Sequence, residues 1–435
     1  MRFARLTAAC LALTLALATA TAAAASADRP RVVVDAPDFH PLPIAVASFL
    51  AGGDARAAAE VAGVVRADLA RCGLFEVLDP RSFLADPGEG LAAASIKFSR
   101  WADVGADGLV KARVSKGPGG FSADLRILDV RAGREVLALT LPATEARDLG
   151  HRIADEVVRH YTGEPGIFRT RIAAIRRTRD GRELVVFDAD GQNARVLLSE
   201  KALLLMPAWH PRGGELLVTS YRSGIPELWR YRFSDKSFRR VNTGHASMGG
   251  SWSPDGSRIA FTAIDGNGTD VWTCNPDGRG ARRLTTSSAL DLSPSWSPDG
   301  KKLVFVSDRA GTPQLYVMNA DGSQQRRITF QGSYNQTPQW SPRGDLIAFT
   351  ARDERRVFDV FTISVDGGRI QRLTQDQGRT NEEPSWAPNG RMLAFTSDRS
   401  GTPQLLVADP GGDRQTVIAS GAELMTPAWG PFPAD

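Results

Sequence analysis

A tryptophan recurs six times in the second half of the chain, each time inside a Pro-x-Trp-x-Pro-x-Gly frame or a near copy of it. The copies are PAWHPRG at Pro207–Gly213, GSWSPDG at Gly250–Gly256, PSWSPDG at Pro294–Gly300, PQWSPRG at Pro338–Gly344, PSWAPNG at Pro384–Gly390 and a shortened PAWGP at Pro427–Pro431. Trp209, Trp252, Trp296, Trp340, Trp386 and Trp429 are spaced by 43, 44, 44, 46 and 43 residues. A period of about 40–45 residues is that of one four-stranded propeller blade, a unit that must stack on copies of itself to bury its faces.

Each repeat has the same internal order. After the Trp turn comes an alternating apolar run: RIAFTA at Arg258–Ala263, KLVFVS at Lys302–Ser307, LIAFTA at Leu346–Ala351 and MLAFTS at Met392–Ser397. Polar turns follow (SDRAGTPQ at Ser307–Gln314, SDRSGTPQ at Ser397–Gln404), then a second run and an Asp-Gly or Gly-Gly turn. Tight hairpins use these residues because Gly, Asn and Asp reach positive φ at little cost. The period-2 alternation predicts antiparallel strands packed sheet on sheet.

The sixth frame is followed by no strand pattern, whereas three strand-like runs precede the first frame without a Trp of their own: Arg169–Ile175, Arg182–Asp188 and Ala194–Ser199. The two halves complement each other. The C-terminal segment is therefore expected to supply the inner strand of the first blade, closing a six-bladed ring with no free edge at the seam. The fold class is mainly β, a six-bladed β-propeller with a small N-terminal α/β domain.

The N-terminus carries Arg2 and Arg5, an apolar run from Leu6 to Ala25, and the Ala25-Ser26-Ala27 pattern of a cleavage site. Residues 1–27 read as a cleaved secretory signal, so the mature chain is expected to be exported. Without Arg2 and Arg5 the basic count falls from 53 to 51 against 49 acidic residues. That small surplus does not argue for nucleic acid. The paired arginines Arg239-Arg240, Arg282-Arg283 and Arg326-Arg327 recur at the outermost strand of a blade, where charge guards an exposed edge. Cys72 and Cys274 lie far apart in sequence and are expected as two separate thiols.

Residues 39–163 are of another kind. Pro43–Leu50 reads as a buried strand, Ala55–Cys72 as a helix with Ala58, Val61, Val65 and Leu69 on one face, and Phe75–Leu78 as a strand. A strand GLVKARV at Gly108–Val114, a hairpin of Phe121–Val130 with Glu135–Leu141, and an amphipathic helix over Ala143–Tyr161 complete a small α/β domain. TGEPG at Thr162–Gly166 links it to the ring, expected at 164–435.

This combination resembles the TolB family of the Tol-Pal system. Similarity is concentrated in HRIADEVVRHYTGEPGIFRTRIAAI at His151–Ile175, RADLARCGLFEVLD at Arg66–Asp79 and SRWADVGADGLVKARV at Ser99–Val114, and it extends over the whole mature chain. The resemblance implies an adaptor without cofactor, metal or catalytic residues, a monomer serving outer-membrane integrity and invagination during cell division. Its implied partners are the lipoprotein Pal, which tethers it peripherally to the outer membrane, and the C-terminal domain of TolA. For TolA it implies the segment within 28–38, through Arg31, Val32, Val33, Val34 and Asp35. RVVVD is β-prone and flanked by Pro30 and Pro37, suited to adding a strand to a partner's sheet edge. For Pal it implies the loops just before each Trp frame, which topology gathers around the channel mouth. The residues are His245, Met248, Asp291, Tyr334, Asn335, Asn381, Glu382 and Met425, a mix of polar and adaptable apolar groups.

Enzymatic readings find little support. No Gly-x-Ser-x-Gly elbow is present, and the five histidines (His40, His151, His160, His210, His245) show no metal-ligand spacing. DADG at Asp188–Gly191 lacks the downstream Glu of a calcium loop and reads as a hairpin turn. The alternative function is a calcium-dependent, lactonase-like or other small-ligand propeller.

Overall fold

The structure, a computed structural model, describes residues 39–433 except 267 and 353. The signal at 1–27 and the Arg31–Asp35 segment lie outside the described residues.

In the N-terminal domain the strands β1 (Leu42–Val46), β2 (Leu50–Gly52), β3 (Phe75–Val77), β4 (Gly108–Gly117), β5 (Gly120–Asp129) and β6 (Arg134–Ala143) form one sheet, ordered β3-β1-β4-β5-β6 with β2 also on β4. The stretch expected as one strand at Pro43–Leu50 is split. Ile44 pairs with Gly108 but Leu50 with Arg113, so the first strand spends one residue more than its partner over the same interval. That extra residue is a bulge. Three helices follow in chain order: α1 (Ala55–Arg71), the short α2 (Phe98–Ala102) and α3 (Ala146–Thr162). The Asp54 carboxylate accepts the Ala57 N–H at 3.0 Å and starts α1. α3 starts three residues later than its apolar pattern implies, because Ala143 still pairs with Phe121 in the sheet. Gly163 at φ 77° ends α3. Val61, Val65 and Leu69 of α1 and Leu149, Ile153, Val157 and Tyr161 of α3 are buried in one cluster over the sheet. The two helices approach so closely that a Cβ on Gly150 would lie 2.6 Å from Val64 Cβ.

The rest is a ring of six four-stranded sheets. Blade 1 joins Leu424–Trp429 to Arg171–Arg177, Arg182–Asp188 and Arg195–Glu200, so the C-terminal segment provides its inner strand. Blades 2 to 6 begin with the inner strands Leu204–Trp209, Ala246–Trp252, Asp291–Trp296, Asn335–Trp340 and Asn381–Trp386. The arginine pairs do lie in or at the fourth strands, and the second Arg of a pair also has an inward task. Arg240 meets the buried Glu227 at 2.8 Å and Arg283 the buried Asp270 at 2.6 Å. In blade 4 Gln314 replaces the acid, and Arg327 keeps the bond to the Thr329 carbonyl that Arg283 also makes to the Thr285 carbonyl.

The Trp frame explains itself at this level. Trp209 Nε1 donates to the Ala428 carbonyl of blade 1 at 3.0 Å, Trp296 Nε1 to Ser251 of blade 3 at 3.3 Å, and Trp386 Nε1 to Gln339 of blade 5 at 3.0 Å. These three indoles staple their blades to the previous one, whereas Trp340 Nε1 turns to the Gly344 carbonyl of its own turn, Trp429 Nε1 donates to the Thr170 hydroxyl, and Trp252 Nε1 is buried without a partner. The turn that follows closes on itself: Asp255 accepts from Ser253 Oγ at 2.6 Å and from Ser257 N–H at 3.0 Å, which pulls its carboxyl down to about 2. His210 occupies the Ser position of this turn in blade 2, and its ring packs edge-on against Trp252 at 4.7 Å.

The N-terminal domain docks on the end of the ring where these Trp turns lie. Its core is continuous with Ala387, Met392, Leu405 and Ile418 of blade 6 and Trp429 of blade 1. Glu164 in the linker receives a two-pronged bond from Arg391 at 2.7 and 2.9 Å, with Arg343 at 3.5 Å. Cys274 is buried and Cys72 half-buried, and both are free thiols.

Candidate functional site

The opposite end of the ring is the channel mouth, where each inner strand begins. Counting back from each Trp separates three kinds of position. Five residues before the Trp stand Leu204, Ser247, Asp291, Asn335, Asn381 and Leu424, all buried. Four before stand Leu205, Met248, Leu292, Gln336, Glu382 and Met425, all half-buried. Three before stand Met206, Gly249, Ser293, Thr337, Glu383 and Thr426, every one at positive φ, between 49° and 61°. The ladder slips at this same place in all six inner strands, between Leu205 and Ala208 and its five equivalents. Five of these six residues carry a side chain into a conformation that disfavours it by roughly 1 kcal/mol or more each, as close packing around a shared space can enforce.

That space is a cavity of about 270 Å³ on the ring axis, lined by the six positive-φ residues and by tryptophans of the inner strands. Glu383 is the one carboxylate in its lining. Burial pushes Glu383 up to about 7, against hydrogen bonds from the Thr426 N–H and the Thr396 hydroxyl, with the neighbouring Glu382 charge adding to the rise. Glu382 is raised too, chiefly by burial and then by Asp398, and accepts from Gln336 Nε2 at 3.2 Å.

Of the eight mouth residues expected from sequence, His245, Met248, Tyr334, Glu382 and Met425 are half-buried at or just before the start of an inner strand, and none of the eight lines the channel cavity itself. The His245 ring rests on Trp272 at 4.4 Å, and Tyr334 stands edge-on to Phe358 at 5.8 Å with the Arg352 guanidinium over its face. Asp291, Asn335 and Asn381 are turned away from the surface. Asp291 is held by Arg309 at 3.0 and 3.1 Å, Asn335 donates to Gln314 of blade 4 at 3.0 Å, and Asn381 donates to Asp359 of blade 5 at 3.0 Å. The latter two stitch neighbouring blades, and all three hold the loops rather than line the opening. Leu292 and Gln336, absent from the sequence-derived set, occupy the same register as Met248, Glu382 and Met425. The signal was available in the fixed count back from each Trp.

One group of potential metal ligands occurs among the described residues, Asp68, His151 and Asp190, with ligand atoms within 4.8 Å of one another. Asp68 binds Nδ1 of the ring, and Asp190 faces the opposite nitrogen and carries Arg147. The two carboxylates flank opposite nitrogens of one ring, so no single ring nitrogen brings both to the same ion, and the arrangement is a carboxylate–imidazole–carboxylate chain. DADG at Asp188–Gly191 is the hairpin turn between the third and fourth strands of blade 1, and it supplies Asp190 to this chain. No helix among the described residues is long and apolar enough to cross a membrane.

A clasp-closed six-bladed propeller, capped by an α/β domain at one end and open at a lined channel mouth at the other, defines a class of two-ended ring proteins. Residues 158–433 match the TolB beta propeller domain and residues 30–136 the TolB amino-terminal domain. The chain belongs to the TolB family, components of the Tol-Pal system. It is 66% identical over 409 residues to the Tol-Pal system protein TolB of Anaeromyxobacter dehalogenans (strain 2CP-C), covering 93% of this chain and 94% of that one. It is 45% identical over 346 residues to the protein of the same name from Myxococcus xanthus (strain DK1622), covering 78% and 80%. Its fold matches the crystal structure of TolB from Acinetobacter baumannii with a TM-score of 0.81 at 26% identity, over 90% of this chain and 97% of that chain.

Proposed function

We propose that this protein is a non-enzymatic adaptor of the Tol-Pal system, exported by a cleaved signal, which binds Pal at the channel mouth and TolA through Arg31–Asp35. The observation that carries the reading is the division of the ring into two ends. One is consumed by the N-terminal domain, while the other presents a sixfold set of half-buried residues around an opening. Met248, Leu292 and Met425 supply adaptable apolar contact, and His245, Tyr334, Gln336 and Glu382 supply polar selectivity, the composition of an interface centre. Asp291, Asn335 and Asn381 act behind them by holding the loops. Linking Pal below the outer membrane to TolA gives the adaptor its role in outer-membrane integrity and in invagination during division. A small-ligand, calcium-dependent function is disfavoured because one carboxylate, Glu383, lines the channel cavity.

Calorimetric titration with the soluble domain of Pal from the same organism tests the reading. Saturable one-to-one binding is expected, weakened by a few kcal/mol when His245→Ala and Glu382→Lys are combined, the range of central interface residues. Unaltered Pal affinity in that double variant moves the site elsewhere. Deletion of residues 28–38 is expected to abolish capture by the TolA C-terminal domain while Pal still binds; retained TolA affinity refutes the assignment of that segment.

A further inference from the structure

The junction between the N-terminal domain and blade 1 contains a buried imidazole between two carboxylates. His151 of α3 is 4% exposed, Asp68 of α1 is 0% exposed and Asp190 of the blade 1 hairpin turn is 9% exposed. His151 Nδ1 lies 2.6 Å from Asp68 Oδ2. Its Nε2 is buried without a hydrogen-bond partner and lies 3.7 Å from Asp190 Oδ2. A neutral imidazole carries one N–H and one lone pair. In either neutral tautomer, one carboxylate oxygen therefore faces a lone pair in a place water does not reach. A second proton in the chain removes the conflict, because the ring then donates to both sides.

We propose that Asp68, His151 and Asp190 form a proton-operated latch, holding one extra proton when the N-terminal domain is docked on blade 1 and loosening the junction when that proton leaves. The charged groups around the ring come from both helices, the linker and the propeller, whose Arg414 in blade 6 acts on Cys72 next to Asp68 and Arg71. α1 contributes Asp68 and Arg71, 3.3 Å apart. α3 contributes Arg147, bound to Asp190, together with Asp148, Arg152 and Asp155. The linker contributes Arg169, 3.0 Å from Asp148, and the propeller contributes Asp190 itself. None of these arginines hydrogen-bonds Nε2, which is buried without a partner. Arg147 answers Asp190 in both protonation states, so loss of the proton weakens the latch without abolishing it.

A second group at the same hinge acts in the same sense. Asp155, one turn along α3, accepts the Phe168 N–H of the linker at 3.0 Å. Burial pushes its carboxyl up to about 7, against that hydrogen bond. A carboxyl raised on folding contributes stability that is present at low pH and is lost as pH rises through its folded value. Both groups thus favour docking at mildly acidic pH. The latch is seated in the blade that also holds the closing strand, so the proton would act on the seam of the ring.

The test compares the full mature chain with His151→Gln by thermal unfolding between about pH 5.5 and pH 8.5, alongside ring-nitrogen NMR of His151. Expected is a doubly protonated His151 ring at the acid end. The unfolding midpoint of wild type should exceed that of the variant there by about 3 °C, a gap that closes toward the alkaline end. A gap that does not change with pH, or a ring in a single neutral tautomer at the acid end, overturns the proposal. So does a fall in the wild-type midpoint on adding a chelator, which would make the cluster a metal site. If His151→Gln does not fold, Asp190→Asn decides: its His151 ring should give up its proton at lower pH than in wild type, and an unmoved titration refutes the latch.

Discussion

At the end of the ring where the Trp frames turn, indoles donate to the preceding blade, Asp carboxylates close their own loops, and the N-terminal domain covers blades 6 and 1 with a continuous apolar core. At the mouth, the same six inner strands carry a bulge, a left-handed residue and a cavity with a raised carboxyl. Repetition serves stability at the first end, where three of the six indoles make the same bond to the preceding blade. At the second, repetition supplies only the geometry, and the side chains at equivalent positions differ from blade to blade: Met206, Gly249, Ser293, Thr337, Glu383 and Thr426. A ring can thus be regular where it must hold and irregular where it meets something else.

The largest effect that would break this contrast is at the seam. Removing the chain after Glu423 takes away Leu424, Ala428 and Trp429 from the core of blade 1 and exposes a strand edge. The expected loss exceeds about 5 kcal/mol, comparable with the whole stability of a typical domain, so calorimetry should find no cooperative transition. A cooperative, wild-type-like transition would mean that the ring is held without its clasp.

Next comes the strained end. Glu383 rises from its usual 4.5 to about 7. Its favourable contribution is therefore present below about pH 4.5 and is lost as pH climbs through about 7. Glu383→Gln, which mimics the neutral form, should match wild type near pH 4 and exceed it by about 2 kcal/mol near pH 8 in denaturant unfolding. A difference that is constant with pH would place the strain elsewhere.

The stapled end gives a smaller, paired prediction. Trp386 Nε1 donates to Gln339, whereas Trp252 Nε1 is buried without a partner. Trp386→Phe should destabilise by about 1 kcal/mol more than Trp252→Phe, since it strands a carbonyl as well as removing ring volume. Equal losses would show that the indole bonds add nothing to packing. The smallest effect belongs to Thr426, at φ 49° with its hydroxyl buried and unpartnered. Thr426→Gly should stabilise the protein by up to about 1 kcal/mol, read as a rise in unfolding midpoint. A fall would mean that the threonine methyl packs well enough to outweigh the strain.

Much of this is legible in the sequence. The Trp spacing alone predicts blades, and the unmatched half-repeats at the two ends predict which strand closes the ring. The helix faces of α1 and α3 follow from Val61, Val65, Leu69 and from Leu149, Ile153, Val157. What failed was finer. Asp291, Asn335 and Asn381 are expected among the mouth-loop contacts, yet they sit at a register, five before each Trp, that is buried in all six blades. Their partners Arg309, Gln314 and Asp359 are 18 to 22 residues away, and no local pattern announces the pairing. The split of β1 and β2 was hidden for a similar reason, since a bulge is a property of two strands. The Asp68–His151–Asp190 chain draws on two helices of the N-terminal domain and a turn of the propeller, far apart in sequence and beyond what spacing can reveal.

The clasp also has a consequence in time. Met425 pairs with Ile175 and Trp429 with Ile172, so blade 1 joins stretches of chain with five complete blades between them. Pairing over so long a separation is slow, because the intervening loop must first be ordered. Blade 1 should therefore be the last sheet to assemble and, its contacts being absent from the folding transition state, the one that governs how fast the finished protein comes apart.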